Sequence, residues 1–151
     1  AGYAGRSILA AEQRLEQSKL PTCSIRLSGL YGGGRSNHLL KALERGQICP
    51  AQPVKYSNRV HIDDAARLFV HLADLHFAGA QLERVYLATD GKPAPLREIM
   101  EWLAAENGIA VDTLETTYIA KRGGNLRCSN ERVLSTGFLF KYDHYSKGYR
   151  T

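Results

Sequence analysis

The stretch Arg26-Leu27-Ser28-Gly29-Leu30-Tyr31-Gly32-Gly33-Gly34-Arg35 decides how this chain is read. On its near side Cys23, Ile25 and Leu27 alternate with Ser24, Arg26 and Ser28, the two-residue period of a short strand. Gly29 and the run Gly32-Gly33-Gly34 then break that strand into a loop. In an open α/β sheet a ligand sits beyond such strand ends. Consecutive glycines turn the backbone sharply and present N–H groups to an anion, and Arg35 adds a forked cation beside them. Taken alone, a glycine triplet reads more plainly as a flexible turn. The run is not a G-x-x-x-x-G-K-[ST] phosphate loop. It is not a G-x-G-x-x-G turn either, because the spacing after Gly34 lands on Asn37.

Upstream, Ser7 to Lys19 is helical, with Ile8, Ala11 and Leu15 at three- and four-residue steps and Pro21 as the stop. Downstream, a helix starts near Asn37, capped by Ser36 or Asn37 and striped by Leu39, Leu40 and Leu43, with Gly46 at its end. Residues 47–58 hold Pro50 and Pro53 and read as loop. The stretch Asn58-Arg59-Val60-His61-Ile62-Asp63-Asp64-Ala65-Ala66 gives a brief extended piece and then a helix on Ala65, Leu68, Phe69, Leu72 and Leu75. Asp63 and Asp64 suit that helix's first turn as cap and dipole partners, which accounts for them better than a metal does, and His61 has no partner at ligand spacing. Asn58 and Arg59 precede the strand in polar surroundings, where a loop role and a phosphate-facing role are equally open.

A third stretch, Tyr86-Leu87-Ala88-Thr89-Asp90-Gly91-Lys92-Pro93, ends a strand in a turn. Pro95 is placed to open a helix on Leu96, Ile99, Met100 and Leu103, with Gly108 at its end and Trp102 as a packing residue. A short strand is expected at Ile109–Val111 or Thr116–Ile119. Ser129 caps a short helix through Val133 and Leu134 that ends at Gly137, and Phe138, Phe140, Tyr142, Tyr145 and Tyr149 form an aromatic tail. Strands separated by helices give the α/β class, but so few strands leave an open sheet edge, so the chain reads as part of a larger sheet.

Composition narrows the partners. The net charge of +5 comes from 20 Lys+Arg against 15 Asp+Glu, scattered without a basic run. A solvated surface explains it best, a phosphate-bearing small molecule next, and nucleic acid only distantly. Cys23, Cys49 and Cys128 are odd in number and lie far apart, which disfavours a disulfide framework and a zinc site and suits a reducing cytosol. Neither a signal peptide nor a long apolar run occurs, so a cytoplasmic protein without a membrane partner is expected.

In this order, the three stretches resemble the C-terminal half of extended short-chain dehydrogenases of the NAD-dependent epimerase/dehydratase, or nucleotide-sugar epimerase, kind. The segment Leu126-Arg127-Cys128-Ser129-Asn130 with Gly137-Phe138 matches that family's closing segment, and the likeness runs from about Gly5 to Tyr149. The resemblance implies part of a Rossmann-like fold plus a small substrate-binding region. Residues 1–151 are then a single partial domain, whose N-terminal dinucleotide-binding half would precede residue 1. It implies NAD or NADP held mainly by that other half, with Ser28, Gly29 and Leu30 on the cofactor side. It places Tyr31, Gly32, Gly34, Arg35, Asn58, Arg59 and His61 around a nucleotide-sugar substrate. A homodimer through the helix near Ser7 is implied as well.

The same resemblance yields no catalytic residue. The family's Tyr-x-x-x-Lys pair works because the ammonium lies one helical turn from the phenol, lowering its pKa for proton exchange. Here the Tyr position falls on Ala4 and the Lys position on Ile8; Tyr3 is one residue early and Ser7 lies four residues on from it. The chain alone is expected to be inactive. Two functions stay open: the substrate-side half of an oxidoreductase or isomerase acting on a nucleotide-sugar, and a non-catalytic dinucleotide-binding sensor or interaction protein of the same fold.

Overall fold

A computed structural model of the chain describes residues 3–33, 37–118 and 125–150. Helix α1 (Tyr3–Glu16) leads into β1 (Ser24–Leu27) and β2 (Gly29–Tyr31), followed by α2 (His38–Glu44), β3 (Tyr56–Ser57), β4 (Arg59–His61) and α3 (Ile62–Phe77). Then come β5 (Val85–Ala88), β6 (Ala94–Pro95), α4 (Leu96–Glu106), a 3-10 turn at Val111–Thr113, α5 (Glu131–Leu134) and α6 (Tyr145–Gly148). The α/β class expected from the pattern is the one observed.

Strands β1 and β2 are one run of backbone that changes partner. β1 pairs in parallel with β5, Ser24 opposite Val85 and Leu27 opposite Ala88, whereas β2 pairs in parallel with β4, Gly29 opposite Arg59 and Tyr31 opposite His61. The switch takes one residue: Ser28 N donates to Ala88 O at 3.0 Å and Gly29 N to Asn58 O at 3.1 Å. Gly29 was expected to break the strand. Instead the strand resumes there, because a residue without a side chain can lie this close to the Asn58 carbonyl, where a Cβ would sit 3.1 Å from that oxygen. The far end of β5 is tied to β4 by Asp90 N, which donates to Arg59 O at 2.8 Å. A small antiparallel pair, β3 with β6, lies apart from the parallel strands.

Two apolar clusters hold the helices. Leu39 and Leu43 of α2 pack with Leu96, Ile99, Met100 and Leu103 of α4; Leu68 and Leu72 of α3 pack with Val60, Tyr86, Val133 and Phe138. Burying each such side chain contributes roughly 1.5–3 kcal/mol. Phe69, expected on the buried stripe of α3, instead points outward at 52% exposure.

The helix ends depart from expectation in instructive ways. Asn37 caps α2 as expected, its Oδ1 accepting from Leu39 N and Leu40 N, both at 3.2 Å. At α3 the cap is His61, whose Nδ1 accepts from Asp63 N at 3.2 Å; Asp63 and Asp64 follow it within the first turn, where acidic residues suit the helix dipole but do not cap. Asp64 is fully buried and turned to other work: its carboxylate accepts from Lys141 N at 3.0 Å, Tyr142 N at 2.8 Å and Arg67 Nη1 at 2.6 Å. Pro95 lies in β6 rather than in α4, because the first helical amide, Leu96 N, is spent on Lys55 O at 2.7 Å. Ser129 accepts from Glu131 N at 3.2 Å but stands one residue ahead of the cap position, which Asn130 occupies. The strand expected at Ile109–Val111 is replaced by the 3-10 turn, where Thr113 bonds the Ala110 carbonyl through both its amide and its hydroxyl. Ile119, in the other stretch considered for that strand, lies outside the described residues.

Candidate functional site

The carboxyl ends of β2 and β4 lie side by side, and their register sets Tyr31 against His61. The two rings meet edge to face, centroids 5.3 Å apart at 89°. Tyr31 is 3% exposed, its hydroxyl directed at His144 O at 3.5 Å. Burial first, and the nearby Asp90 charge second, push its phenol well above the usual range, so it stays neutral. His61 is 1% exposed and stacks on Tyr142 at 3.8 Å. Burial lowers the pKa of its imidazole, against the opposing pull of Asp63 and Asp64. It therefore contributes a neutral ring and a helix cap rather than a cation. Gly32, at φ 83°, follows directly, and its α-carbon lies so close to the His61 ring that a Cβ would run into it.

Arg59 is the centre of the site. It is 6% exposed, and among the described residues no carboxylate comes within ion-pair reach of it. Its Nη1 donates to Tyr149 Oη at 2.5 Å, and its Nε is buried without a hydrogen-bond partner. The nearest compensation acts through space. Asp90 is also 6% exposed and accepts from Lys92 N at 3.1 Å. Burial pushes its carboxyl up to about 6, while Arg59 and Lys92 pull the other way. The charge of Arg59 also adds to burial in lowering the pKa of His38. A buried cation with only a neutral hydroxyl bonded to it is an arrangement suited to receiving an anion.

The frame around Arg59 comes from four separated parts of the sequence. Its carbonyl accepts from Asp90 N and, at 3.3 Å, from Thr89 Oγ1. Asn130 Nδ2 donates to Thr89 O at 3.0 Å, which brings in the closing segment. The aromatic tail supplies Tyr149, 4.7 Å from the Tyr31 ring, and Tyr142 on His61. Asp64, through its bonds to the Lys141 and Tyr142 amides, holds that tail in place. Thr89, Asp90, Asn130, Tyr142 and Tyr149 were not among the expected site residues. No local pattern marks them, since they meet Arg59 and its neighbours only in the folded chain.

The remaining expected residues are placed as follows. Ser28 sits at the strand switch with its Oγ buried and without a partner. Gly29 is exposed, and Leu30 is half-buried against the α3 cluster. Asn58 lies beside Arg59, but its side chain is occupied: Nδ2 donates to Leu126 O and Oδ1 accepts from Cys128 N, both at 2.8 Å. Gly34 and Arg35 lie outside the described residues. A shallow cleft lined by Leu15, Leu20, Thr22, Ser24 and Arg84 opens at the amino ends of β1 and β5, the opposite end from Arg59 and from where ligands bind such sheets. Among the described residues no group of three His, Cys, Asp or Glu side chains is arranged to hold a metal ion, and no helix is long and apolar enough to cross a membrane.

No family model matches the sequence, and no curated protein matches it. Solved structures do. A Methylobacillus flagellatus protein named for the NAD-dependent epimerase/dehydratase family superposes with a TM-score of 0.76 at 31% identity, over 99% of this chain and 52% of its own. A protein of unknown function from Silicibacter pomeroyi gives 0.76 at 22% identity, over 99% and 55%. The chain is similar throughout to the C-terminal half of NAD-dependent epimerase/dehydratase proteins. At 14% identity the fold still matches dTDP-glucose 4,6-dehydratase of Bacillus anthracis, solved with NAD, with a TM-score of 0.70 over 98% of this chain and 49% of that one. The chain thus spans about half the length of the epimerase/dehydratase proteins it matches. Ile8 of α1, the residue that the sequence sets where the lysine of a Tyr-x-x-x-Lys pair is expected, is 60% exposed.

Proposed function

We propose that this chain is the substrate-side half of an NAD(P)-linked epimerase/dehydratase-like protein, and that Arg59 receives the diphosphate of a nucleotide-sugar. The observation that carries this reading is the buried guanidinium of Arg59, whose backbone at the start of β4 is tied to Asp90 just beyond the carboxyl end of β5, with an open Nε and, among the described residues, no bonded carboxylate. Tyr31, Gly32 and His61 form the wall beside it; the sequence resemblance adds Gly34 and Arg35 as candidate substrate residues. Asn58 supports the site from behind, because its amide is committed to the backbone of Leu126 and Cys128.

NAD or NADP would be held mainly by a dinucleotide-binding half outside residues 1–151. This half offers the Ser28 hydroxyl, buried and unpartnered at the strand switch, flanked by Gly29 and Leu30. When bound, the dinucleotide would supply hydride transfer; these residues would only help to position it. Support for a missing neighbour lies in β1, where Arg26 and Leu27 are exposed and β5 is the only partner strand among the described residues. It lies equally in α1, which exposes Ile8, Leu9 and Leu15. The same face would serve a homodimer.

The second reading, a non-catalytic dinucleotide-binding sensor or interaction protein, is favoured by one observation: the lysine position of α1 is the exposed, uncharged Ile8. Calorimetric titration of the chain with dTDP-glucose tests the substrate side. Arg59→Gln is expected to weaken binding at least about tenfold, the size of a lost charge-assisted hydrogen bond. Equal affinity of the two proteins would sink the assignment of Arg59. Turnover of the sugar by the longer protein would exclude the sensor.

A further inference from the structure

We propose that residues 143–150 form a cover over the Arg59 site and that the Tyr149 hydroxyl stands where an anionic oxygen binds, so that a diphosphate enters by displacing it. This inference rests on the reading of Arg59 as an anion receptor and adds how the receptor is closed.

Three observations support it. First, the bond from Arg59 Nη1 to Tyr149 is made to a neutral oxygen, while Nε has no partner. An anion would make stronger, charge-assisted bonds to the same fork. Second, Arg59 is too buried for a ligand to reach while Tyr149 is in place. Third, Tyr145 and Gly148 anchor the inner side of the segment carrying Tyr149, while its outer side is fastened by surface contacts of a weak kind. Lys92 Nζ meets Asp143 at 3.3 Å, and Arg150 makes a two-pronged pair with Glu106 at 2.8 and 3.0 Å. Tyr145 Oη donates to Glu98 at 2.7 Å on the inner side, which suits a hinge at α6 and a freer end at Tyr149 and Arg150.

The chain also carries its own reporter. Trp102 is the sole tryptophan, with Tyr149 at 6.3 Å, Tyr145 at 5.5 Å and the Arg150 guanidinium at 5.7 Å from its ring. Lifting Tyr149 and Arg150 changes what surrounds that indole.

The test is a titration of the whole chain with inorganic pyrophosphate at fixed neutral pH, read by calorimetry and by Trp102 emission, with circular dichroism confirming that each variant is folded. Tyr149→Phe keeps the ring and removes the competing oxygen, so it is expected to bind about tenfold more tightly or better. Glu106→Gln loosens the outer fastening. It is expected to bind severalfold more tightly and to shift the emission of the free protein toward that of the saturated wild type. Arg59→Gln abolishes binding in every background. If Tyr149→Phe and Glu106→Gln both match the wild type while Arg59→Gln still weakens binding, the cover is wrong and the anion site stands. Pyrophosphate binding that ignores Arg59→Gln, or no binding by any variant, overturns both.

Discussion

Helices α1 and α3 look alike in sequence and fare differently in the fold. Each carries apolar residues at helical spacing. On α3, Leu68 and Leu72 are 0% and 2% exposed and Asp64 is bonded to the tail. On α1, Ile8, Leu9 and Leu15 are 60%, 45% and 46% exposed, and the ties to the sheet include two ion pairs, Arg26 with Glu12 and Arg84 with Glu16. An amphipathic stripe states that a face suits burial; it does not state what will cover it. The cover for the Leu68 and Leu72 face of α3 is in this chain, although Phe69, Val70 and Phe77 on the same helix are exposed. Among the described residues, Ile8, Leu9 and Leu15 of α1 belong to neither apolar cluster.

The contrast can be broken most directly at its extremes. Leu68→Ala should destabilise the fold by about 3 kcal/mol, the cost of a core cavity, whereas Ile8→Ala should leave the unfolding midpoint in urea almost unmoved. Equal losses would show that α1 is packed after all. Next comes Asp64→Asn. Replacing a buried carboxylate that accepts two backbone amides should cost about 2 kcal/mol, and it should also release Tyr142 from His61, visible as loss of the near-ultraviolet tyrosine signal.

Asp90 sharpens the comparison among buried acids, because it has one bonded amide where Asp64 has two. Its carboxyl is raised to about 6 in the fold, against an unfolded value of about 3.9. An acid raised in this way favours the fold fully below its unfolded pKa, and that contribution is lost as pH rises through the folded value. The wild type should therefore lose stability between about pH 4 and pH 6. Asp90→Asn should recover on the order of 2 kcal/mol above that window and nothing below it. Thermal melts across the range decide this; a pH-independent difference would mean that Asp90 acts by something other than its charge. The smallest effect is expected on α1. Ile8→Ser with Leu9→Ser should leave the melting temperature nearly unchanged but reduce self-association in sedimentation, since only an exposed face is altered.

Much of this fold was legible because local patterns coincided with local structure. Alternation in residues 23–28, the Leu39–Leu43 stripe and the turn at Asp90-Gly91 each lie where the pattern put them. Elements defined only by a distant partner were missed. β2 exists because Gly29 can approach Asn58, and β3 and β6 are two residues each, too short for any period. The site divides the same way. Arg59 and His61 belong to an extended piece that the pattern placed, and Tyr31, read as loop, meets His61 from the end of β2. Tyr149 is 90 residues from Arg59 along the chain, and nothing near either residue announces the bond between them. Asn58 shows the reverse limit: a polar residue beside a strand looks ready for a ligand, but its amide is closed by the 126–128 backbone.

Gly32 carries a consequence for how this sequence can change over time. Its positive φ and the His61 ring against its α-carbon are two separate obstacles to the same substitution. Relieving one leaves the other standing, so no single compensating mutation opens the position. A lineage could trade His61 for a smaller residue and still be unable to replace Gly32. In a saturating library of variants, position 32 should come back as glycine long after the exposed faces of α1 have drifted beyond recognition.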